Sequence, residues 1–307
     1  MSPLRRLLLL TLVSALAGCQ LYFINTDDED ENGSGSGRDV TLDIVGTDNG
    51  LFSFVELWVT GVVFERESGA TTTFDFSGRP VDLLRSESGE TVVSGASLPS
   101  GNYEFLRLRA EGGEGLNLSV VDDGRGELDL AISGNGIDIE ITPVISGGGR
   151  WTVVVHTASA VVPDGDFLYR YRQTAKTAYV VRNGRAGTVE GTIPYTQCSQ
   201  NRPAGDVAVY VHDASATAPT DIRGRSGVNE PVLSFAARQG TDGTAWEFRS
   251  PLIPEGEWQV SYTCRALSDD PDQSDSGQGD TADIVGDLRD TARDVDVVAG
   301  QAKNVDF

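Results

Sequence analysis

From Asp39 to the C-terminus, apolar residues recur at every second position, and that period decides what the chain can build. Val40, Leu42 and Ile44 alternate with Thr41 and Asp43, and Val55, Leu57 and Val59 with Glu56, Trp58 and Thr60. Leu128, Leu130 and Ile132 form a further set. Ile137, Ile139 and Ile141 alternate with Asp138, Glu140 and Thr142, and Trp151, Val153 and Val155 follow. A period of two sends one set of side chains to a core and the other to solvent, the mark of half-buried antiparallel strands. Clusters of turn residues separate the runs: Gly46-Thr47-Asp48-Asn49-Gly50, Asp122-Asp123-Gly124 and Gly147-Gly148-Gly149. There is no long amphipathic helical pattern. Many short strands with regular turn punctuation predict an all-β fold, with two antiparallel β-sandwich domains in tandem.

The first domain is expected over residues 39–185 and the second over 186–307. In the second, Val189, Gly191 and Ile193 alternate, then Val207, Val209 and Val211. Val232 to Ala237, and Trp246 with Phe248, mark two more strands. Trp258, Val260, Tyr262 and Cys264 share one face of another, and Val305 and Phe307 suggest a last one. An internal echo links the two blocks: Leu98-Pro99-Ser100-Gly101-Asn102-Tyr103-Glu104-Phe105 parallels Ile253-Pro254-Glu255-Gly256-Glu257-Trp258-Gln259-Val260. Pro pre-sets a turn, Gly permits positive φ, and the aromatic anchors the outgoing strand.

Ahead of the strands, Arg5 and Arg6 precede an apolar stretch from Leu7 to Ala17, which ends in Leu16-Ala17-Gly18-Cys19. A basic start, a short apolar run and small residues before a cysteine follow the plan of a lipoprotein signal peptide over 1–18. Cys19 is then the expected lipidation site, its thiol carrying a diacylglycerol. The apolar run is shorter than the roughly 18 residues that cross a bilayer. Residues 19–38 read as a tether. Asp27 to Glu31 repel one another and Gly33 to Gly37 are Gly/Ser-rich, for a root-mean-square span of about 25 Å. Gln20 rather than Asp after the cysteine favours the cell outer membrane, so the expected partner there is the membrane, held through the N-terminal lipid.

The net charge of −22 excludes nucleic acid as a partner on electrostatic grounds. With Cys19 acylated, Cys198 and Cys264 remain. In an exported chain a disulfide between them is the default reading, and two buried thiols the other. The chain has two histidines. His156 is read as a residue of a strand running from Trp151 to Val162, facing away from Val153 and Val155. His212 adjoins Asp213 at a strand end and is read as a turn entry. No Gly-x-Ser-x-Gly elbow accompanies them. The acid-rich stretch Asp269, Asp270, Asp272, Asp275 and Asp280 is the candidate metal site, calcium being the cation such oxygens would take. Without the EF-hand order it reads first as a solvated acidic loop, and no cofactor is expected. Trp58 and Tyr210, both outward on their strands, are candidates for a carbohydrate platform.

The first block resembles the family catalogued as domain of unknown function 4382, which occurs in bacterial lipoproteins. The likeness rests on Val55-Glu56-Leu57-Trp58-Val59-Thr60-Gly61-Val62-Val63-Phe64, on Val81-Asp82-Leu83-Leu84, and on Leu98-Pro99-Ser100-Gly101-Asn102-Tyr103 with Leu106-Arg107-Leu108. It continues through Trp151–Val162 and Tyr169–Val181. The family's aspartate-proline segment after the first strand is here Gly46-Thr47-Asp48-Asn49-Gly50. Its aspartate-rich strand is here Val153-Val154-Val155-His156. The second block resembles transthyretin-like, or carboxypeptidase-regulatory-like, sandwiches through Gly187-Thr188-Val189-Glu190-Gly191-Thr192-Ile193, Val207-Ala208-Val209-Tyr210-Val211, Ile253 to Trp258 and Ala299-Gly300-Gln301. The resemblance implies fold and location and supplies no reaction. The expectation is a non-enzymatic, membrane-anchored envelope module that binds a protein or a glycan or serves as a spacer. The alternative is a calcium-stabilised or carbohydrate-binding surface protein, and the rival from another class is an enzyme or metal-dependent hydrolase accessory.

Overall fold

Antiparallel strands dominate the computed structural model, which describes residues 38–48, 50–85, 89–134, 136–222, 227, 229–269 and 281–307. The signal segment, Cys19 and the tether lie outside the described residues, as do Asp270, Asp272, Asp275 and Asp280. The protein is all-β in its main body, as the alternation predicts.

Four sheets carry the strands. A four-stranded sheet runs in the order Ala178–Arg182, Gly149–Val155, Arg38–Gly46, Glu90–Leu98. An eight-stranded sheet packs over it. Its path is Val161–Pro163, Leu168–Tyr171, Glu127–Ala131, Val120–Asp122, Phe54–Arg66, Asn102–Glu111, Ile137–Ser146, with Thr71–Asp82 also paired to Phe54–Arg66. The apolar set of each alternation meets between these sheets, where Leu42, Ile44, Leu57, Val59, Leu106, Leu108, Ile139 and Trp151 share one core. Phe64, Tyr103 and Trp151 meet edge-on there, with ring centroids 5.4 to 6.1 Å apart.

The second pair of sheets begins at residue 186. The five-stranded one centres on Ala186–Pro194, flanked by Ala245–Arg249, Ile253–Pro254 and Ala302–Asn304, with Arg238–Gln239 paired to Ala245–Arg249. The four-stranded one runs Leu233–Ala236, Ala208–Asp213, Gly256–Thr263, Arg293–Val297. Val189, Val209, Val211, Trp246, Phe248 and Val260 fill the space between them. Beyond Asn304 the chain stays in register, Val305 and Phe307 donating their N–H groups to the carbonyls of Glu190 and Thr192. Gly191 allows that approach, because a Cβ on it would lie 1.9 Å from the Val305 carbonyl oxygen.

The internal echo is one turn made twice. The Tyr103 hydroxyl donates to the Pro99 carbonyl at 2.6 Å, and Trp258 Nε1 donates to the Pro254 carbonyl at 2.8 Å. Gly101 and Gly256 sit at φ +148° and +134°. Each aromatic thus closes the turn that precedes its own strand, and its apolar body faces the core.

Three sequence expectations need correction. Thr281–Thr291 is an 11-residue helix, where no helical pattern was anticipated. Among its described side chains, from residue 284 on, Ile284 and Leu288, one helical turn apart, are the buried ones, a short apolar stripe. Trp151 to Val162 is not one strand. The strand ends at Val155, Thr157–Ala160 forms a single helical turn with His156 as its N-cap, and a new strand starts at Val161. His212 is the penultimate residue of the strand Ala208–Asp213, at a strand end as read, but it is still paired with Gln259 and the turn begins only after Asp213.

Towards their C-terminal ends, both faces of the Arg38–Gly46 and Gly149–Val155 strands are covered. Val40, Leu42 and Ile44 face the first core, while Val45 and Val154 belong to the second. Parallel pairing of these two strands, Val45 opposite Val154, fits strands buried on both sides. Tyr179 of the neighbouring strand donates from its hydroxyl to the Leu252 carbonyl at 2.8 Å. The Ala236 N–H reaches the Asp48 carbonyl at 2.6 Å. The two strand bodies are therefore seated on each other through one face of the four-stranded sheet.

Candidate functional site

The seam between the two strand bodies holds the candidate site. On one side, Ala186–Pro194 and Ala245–Arg249 turn Glu190, Thr192, Glu247 and Arg249 outward, because Val189, Ile193, Trp246 and Phe248 take the inward positions. Register places Glu190 opposite Arg249 and Thr192 opposite Glu247. Arg249 Nη1 donates to Glu190 Oε2 at 3.1 Å. Facing them, Val45, Gly46, Thr47, Asp48 and Leu84 form the other wall of a hollow of about 450 Å³. Gly46 has to be glycine here, since a Cβ would meet Leu83 Cβ at 2.7 Å and Thr157 Cγ2 at 2.9 Å. An ion pair across the seam, Arg238 Nη2 to Asp48 Oδ2 at 3.0 Å, bounds one end.

The hollow opens into a second of about 520 Å³, and the two share Val45, Arg249, Ser250 and Pro251. Arg150, Thr152, Asn183, Thr188 and Leu252 complete the second lining. Arg150 is oriented by Asp43, a carboxylate only 1 % exposed, which accepts from Arg150 Nε and from the Thr91 hydroxyl, each at 2.6 Å. Asn183 is held at the end of its strand by Thr152, whose hydroxyl donates to Asn183 Oδ1 at 2.9 Å. Together the hollows form one groove built from both strand bodies, with Asp48, Glu190, Glu247 and Arg238 in the first hollow, Arg150 in the second and Arg249 shared between them. Its volume is that of a site for a small organic ligand or a short oligomer.

Deeper in the same seam lie both histidines. His156 Nε2 shares a hydrogen bond with Ser234 Oγ at 2.8 Å, and both residues are buried. Burial pushes the His156 imidazole down to about 3, with Arg172, Lys176 and His212 adding repulsion. His212 Nε2 donates to the Thr220 carbonyl at 2.9 Å, and burial takes that ring down to about 4. A Ser–His pair of this kind has the composition of a nucleophile and its base. Here Ser234 is 2 % and His156 1 % exposed, so the pair joins the two strand bodies rather than facing a substrate.

Cys198 and Cys264 are bonded, with Cα atoms 5.5 Å apart, tying the exit of the Ala186–Pro194 strand to the end of Gly256–Thr263. Asp269, first of the metal candidates, is buried and occupied by protein donors. Its Oδ2 accepts from the Tyr210 hydroxyl at 2.7 Å and from the Ile222 N–H at 3.3 Å. The described residues contain no group of three or more His, Cys, Asp or Glu placed to hold a metal ion. Tyr210 is 1 % exposed, packed with Ala158, Ile222, Ile284 and Leu288, so it offers no carbohydrate platform. Trp58 is half-buried, its indole against Gly78, where a Cβ would lie 2.5 Å from Nε1. Both aromatics were read as outward from strand parity, and both are covered by a neighbouring segment.

Arg150, Asn183, Arg249 and Ser250 were not singled out in the sequence. Each sits on a regular strand or its end with no motif around it. The one available signal was double parity: Val45 and Val154 are apolar where a one-sided strand would be polar, which marks the sheet face that the groove borders.

No protein-family model matches the chain, and no curated protein does. Among solved structures, a comparison returns the Bacillus anthracis TIE protein at 9% identity and a TM-score of 0.19, over 88% of this chain and 34% of that one. The chain thus spans about a third of that protein's length, and at this score the likeness carries no inference. Among the described residues no helix is long and apolar enough to cross a membrane.

Proposed function

We propose that this protein is a lipid-anchored envelope module, held at the outer membrane through Cys19, whose strand body binds rather than transforms its ligand. The groove between the two strand bodies carries the reading. It is a concave, mixed-charge surface of two joined hollows, assembled from both halves and held by backbone bonds and ion pairs across the seam. His156 bonds Ser234 across the seam and His212 is buried against the Thr220 carbonyl, so neither belongs to an accessible acid–base set. The basic start, the apolar run and the small residues before Cys19 support the anchor, as does the resemblance of the first block to a lipoprotein family. The ligand class is an envelope glycan or protein.

Two measurements test this. Cys19→Ala is expected to move the protein from the membrane to the soluble fraction; a variant that stays in the membrane refutes the lipid anchor. A photo-crosslinking residue at Asn304, which lines the groove, is expected to capture an envelope component in intact cells. The same probe at Ser68, in an exposed turn on the other strand body, is expected to capture none. Equal capture at both positions refutes the groove as the binding surface.

A further inference from the structure

The second hollow of the groove is rich in hydrogen-bond donors that no protein acceptor uses. Arg150 spends Nε on Asp43, and Arg249 spends Nη1 on Glu190. Among the described residues, Arg150 Nη1 and Nη2, and Arg249 Nε and Nη2, have no partner, and the two side chains are 50% and 55% exposed. Asn183 accepts at Oδ1, which orients its amide nitrogen as a further donor. Ser250 Oγ accepts the Val189 N–H at 2.8 Å, which leaves its own O–H to donate. No carboxylate lines this hollow: Asp43 lies behind Arg150, and Glu190 lines the adjoining one. In a chain of net charge −22, each of these guanidiniums is balanced by its own carboxylate, and what faces the hollow is a set of N–H and O–H donors.

We infer that this hollow is an anion subsite that takes the carboxylate of an acidic saccharide, with Arg150 and Arg249 as its charged donors. Two guanidiniums, each braced by a carboxylate through one nitrogen, present their remaining N–H groups for paired contact with a planar anion. The rest of the groove selects what the anion is attached to. Next to the arginines come Thr188 and Asn183, over an aliphatic floor of Pro251 and Leu252. Further along, Glu190, Glu247 and Asp48 supply acceptors. Donors for an anion followed by acceptors for hydroxyl groups match a uronate within a short oligosaccharide, for which a volume of about 520 Å³ is ample. The inference rests on the binding reading of the groove and narrows it to one ligand chemistry.

Calorimetric titration of the folded full-length protein tests it, with four probes: trigalacturonate, a neutral trisaccharide, triglutamate and inorganic phosphate. Trigalacturonate is expected to bind, and Arg249→Gln to weaken it by roughly ten- to a hundredfold, the worth of a charged hydrogen bond. Asn183→Ala is a second variant whose folding does not depend on an ion pair, and it too should weaken binding. Equal binding of the neutral trisaccharide, or trigalacturonate binding that Arg249→Gln leaves unchanged, overturns the inference. Binding of phosphate or triglutamate without trigalacturonate overturns it in favour of that other ligand. If no probe binds while the Asn304 crosslink still captures an envelope component, the anion subsite falls and the binding groove stands.

Discussion

Lowering the pH from 7 to 5 should weaken this fold through its two histidines, by an amount the geometry allows one to work out. Both rings are buried and neutral. His156 bonds Ser234, and Arg172 and Lys176 repel a charge on it. His212 donates Nε2–H to Thr220, and its Nδ1 has no hydrogen-bond partner, so a proton added there would meet no acceptor. Lys176 also faces His212. Burial holds the Lys176 ammonium below its ordinary value, against the pull of Asp213 and Glu230. The ring values fall from 6.5 to about 3 and about 4. A depressed histidine means the unfolded chain binds the proton first. Stability is therefore full above 6.5 and declines as pH drops, until the folded ring itself titrates near 3 or 4. Between pH 7 and 5 the folded rings stay neutral while the unfolded ones charge, and each histidine costs about 2 kcal/mol. Together they remove about 4 kcal/mol, a large share of an ordinary domain's stability. The lowered carboxylates, Asp122, Asp123, Asp213 and Asp242, titrate below this window, and Glu56, raised by burial, acts with the opposite sign. Urea unfolding followed by tryptophan fluorescence at pH 7, 6 and 5 measures the effect. The His156→Gln/His212→Gln variant, which carries no ring to protonate, should lose almost none of its stability over that range. If wild type and variant fall in parallel, the rings are solvated or charged in the folded state and the reasoning fails.

The remaining expectations concern single contacts. Opening the Cys198–Cys264 bridge, which closes a separation of 66 residues, should cost about 4 kcal/mol by the chain-entropy model; a reduced protein that melts unchanged would contradict this. Tyr103→Phe and Trp258→Phe each remove one part-buried donor from a proline carbonyl and should cost about 1 kcal/mol apiece in chemical denaturation. Gly191→Ala forces the C-terminal residues away from the Ala186–Pro194 strand and should cost about 2 kcal/mol. Hydrogen exchange would read it as faster exchange at the Val305 and Phe307 amides.

Strand content was legible because its signal is local. Parity in Ile137 to Ile141 or Leu106 to Ala110 says which side chain goes inward without knowledge of the partner strand. The paired Pro-x-Gly-x-aromatic turns were legible for the same reason, since donor and acceptor lie four residues apart. The helix Thr281–Thr291 was not. Its described buried side chains are Ile284 and Leu288, packed with Tyr210 and Ile222, and so short a stripe carries almost no period. Trp58 and Tyr210 show the limit of parity itself. Parity assigns a sheet face, but which segment covers that face is long-range information: Gly78 covers Trp58, and Asp269 with the Thr281–Thr291 helix covers Tyr210.

The groove is the extreme case of that limit. Arg150 and Arg249 are 99 positions apart in the chain, and nothing local to either marks it as more than an outward strand residue. What brings them to one hollow is the covering of the four-stranded sheet's second face. That covering is encoded in an excess: Val45 and Val154 are apolar at positions where a sheet with one wet face would carry polar residues, and Thr152 and His156 share their parity. A strand apolar at both parities has to be buried on both sides. In an all-β chain with two strand bodies, the second body is the available cover. Docking two convex bodies along one flat face leaves a seam, and the outward residues at its rim are the ones that cannot be read from either body alone. If the seam is the binding surface, separating the bodies should abolish binding even where each keeps its own core. His156→Asp, which sets a carboxylate against Ser234 at the centre of the seam, tests that link. Loss of ligand with the Cys198–Cys264 bridge and both cores intact would tie function to docking. Undiminished binding would place the ligand on one body and detach the groove from it.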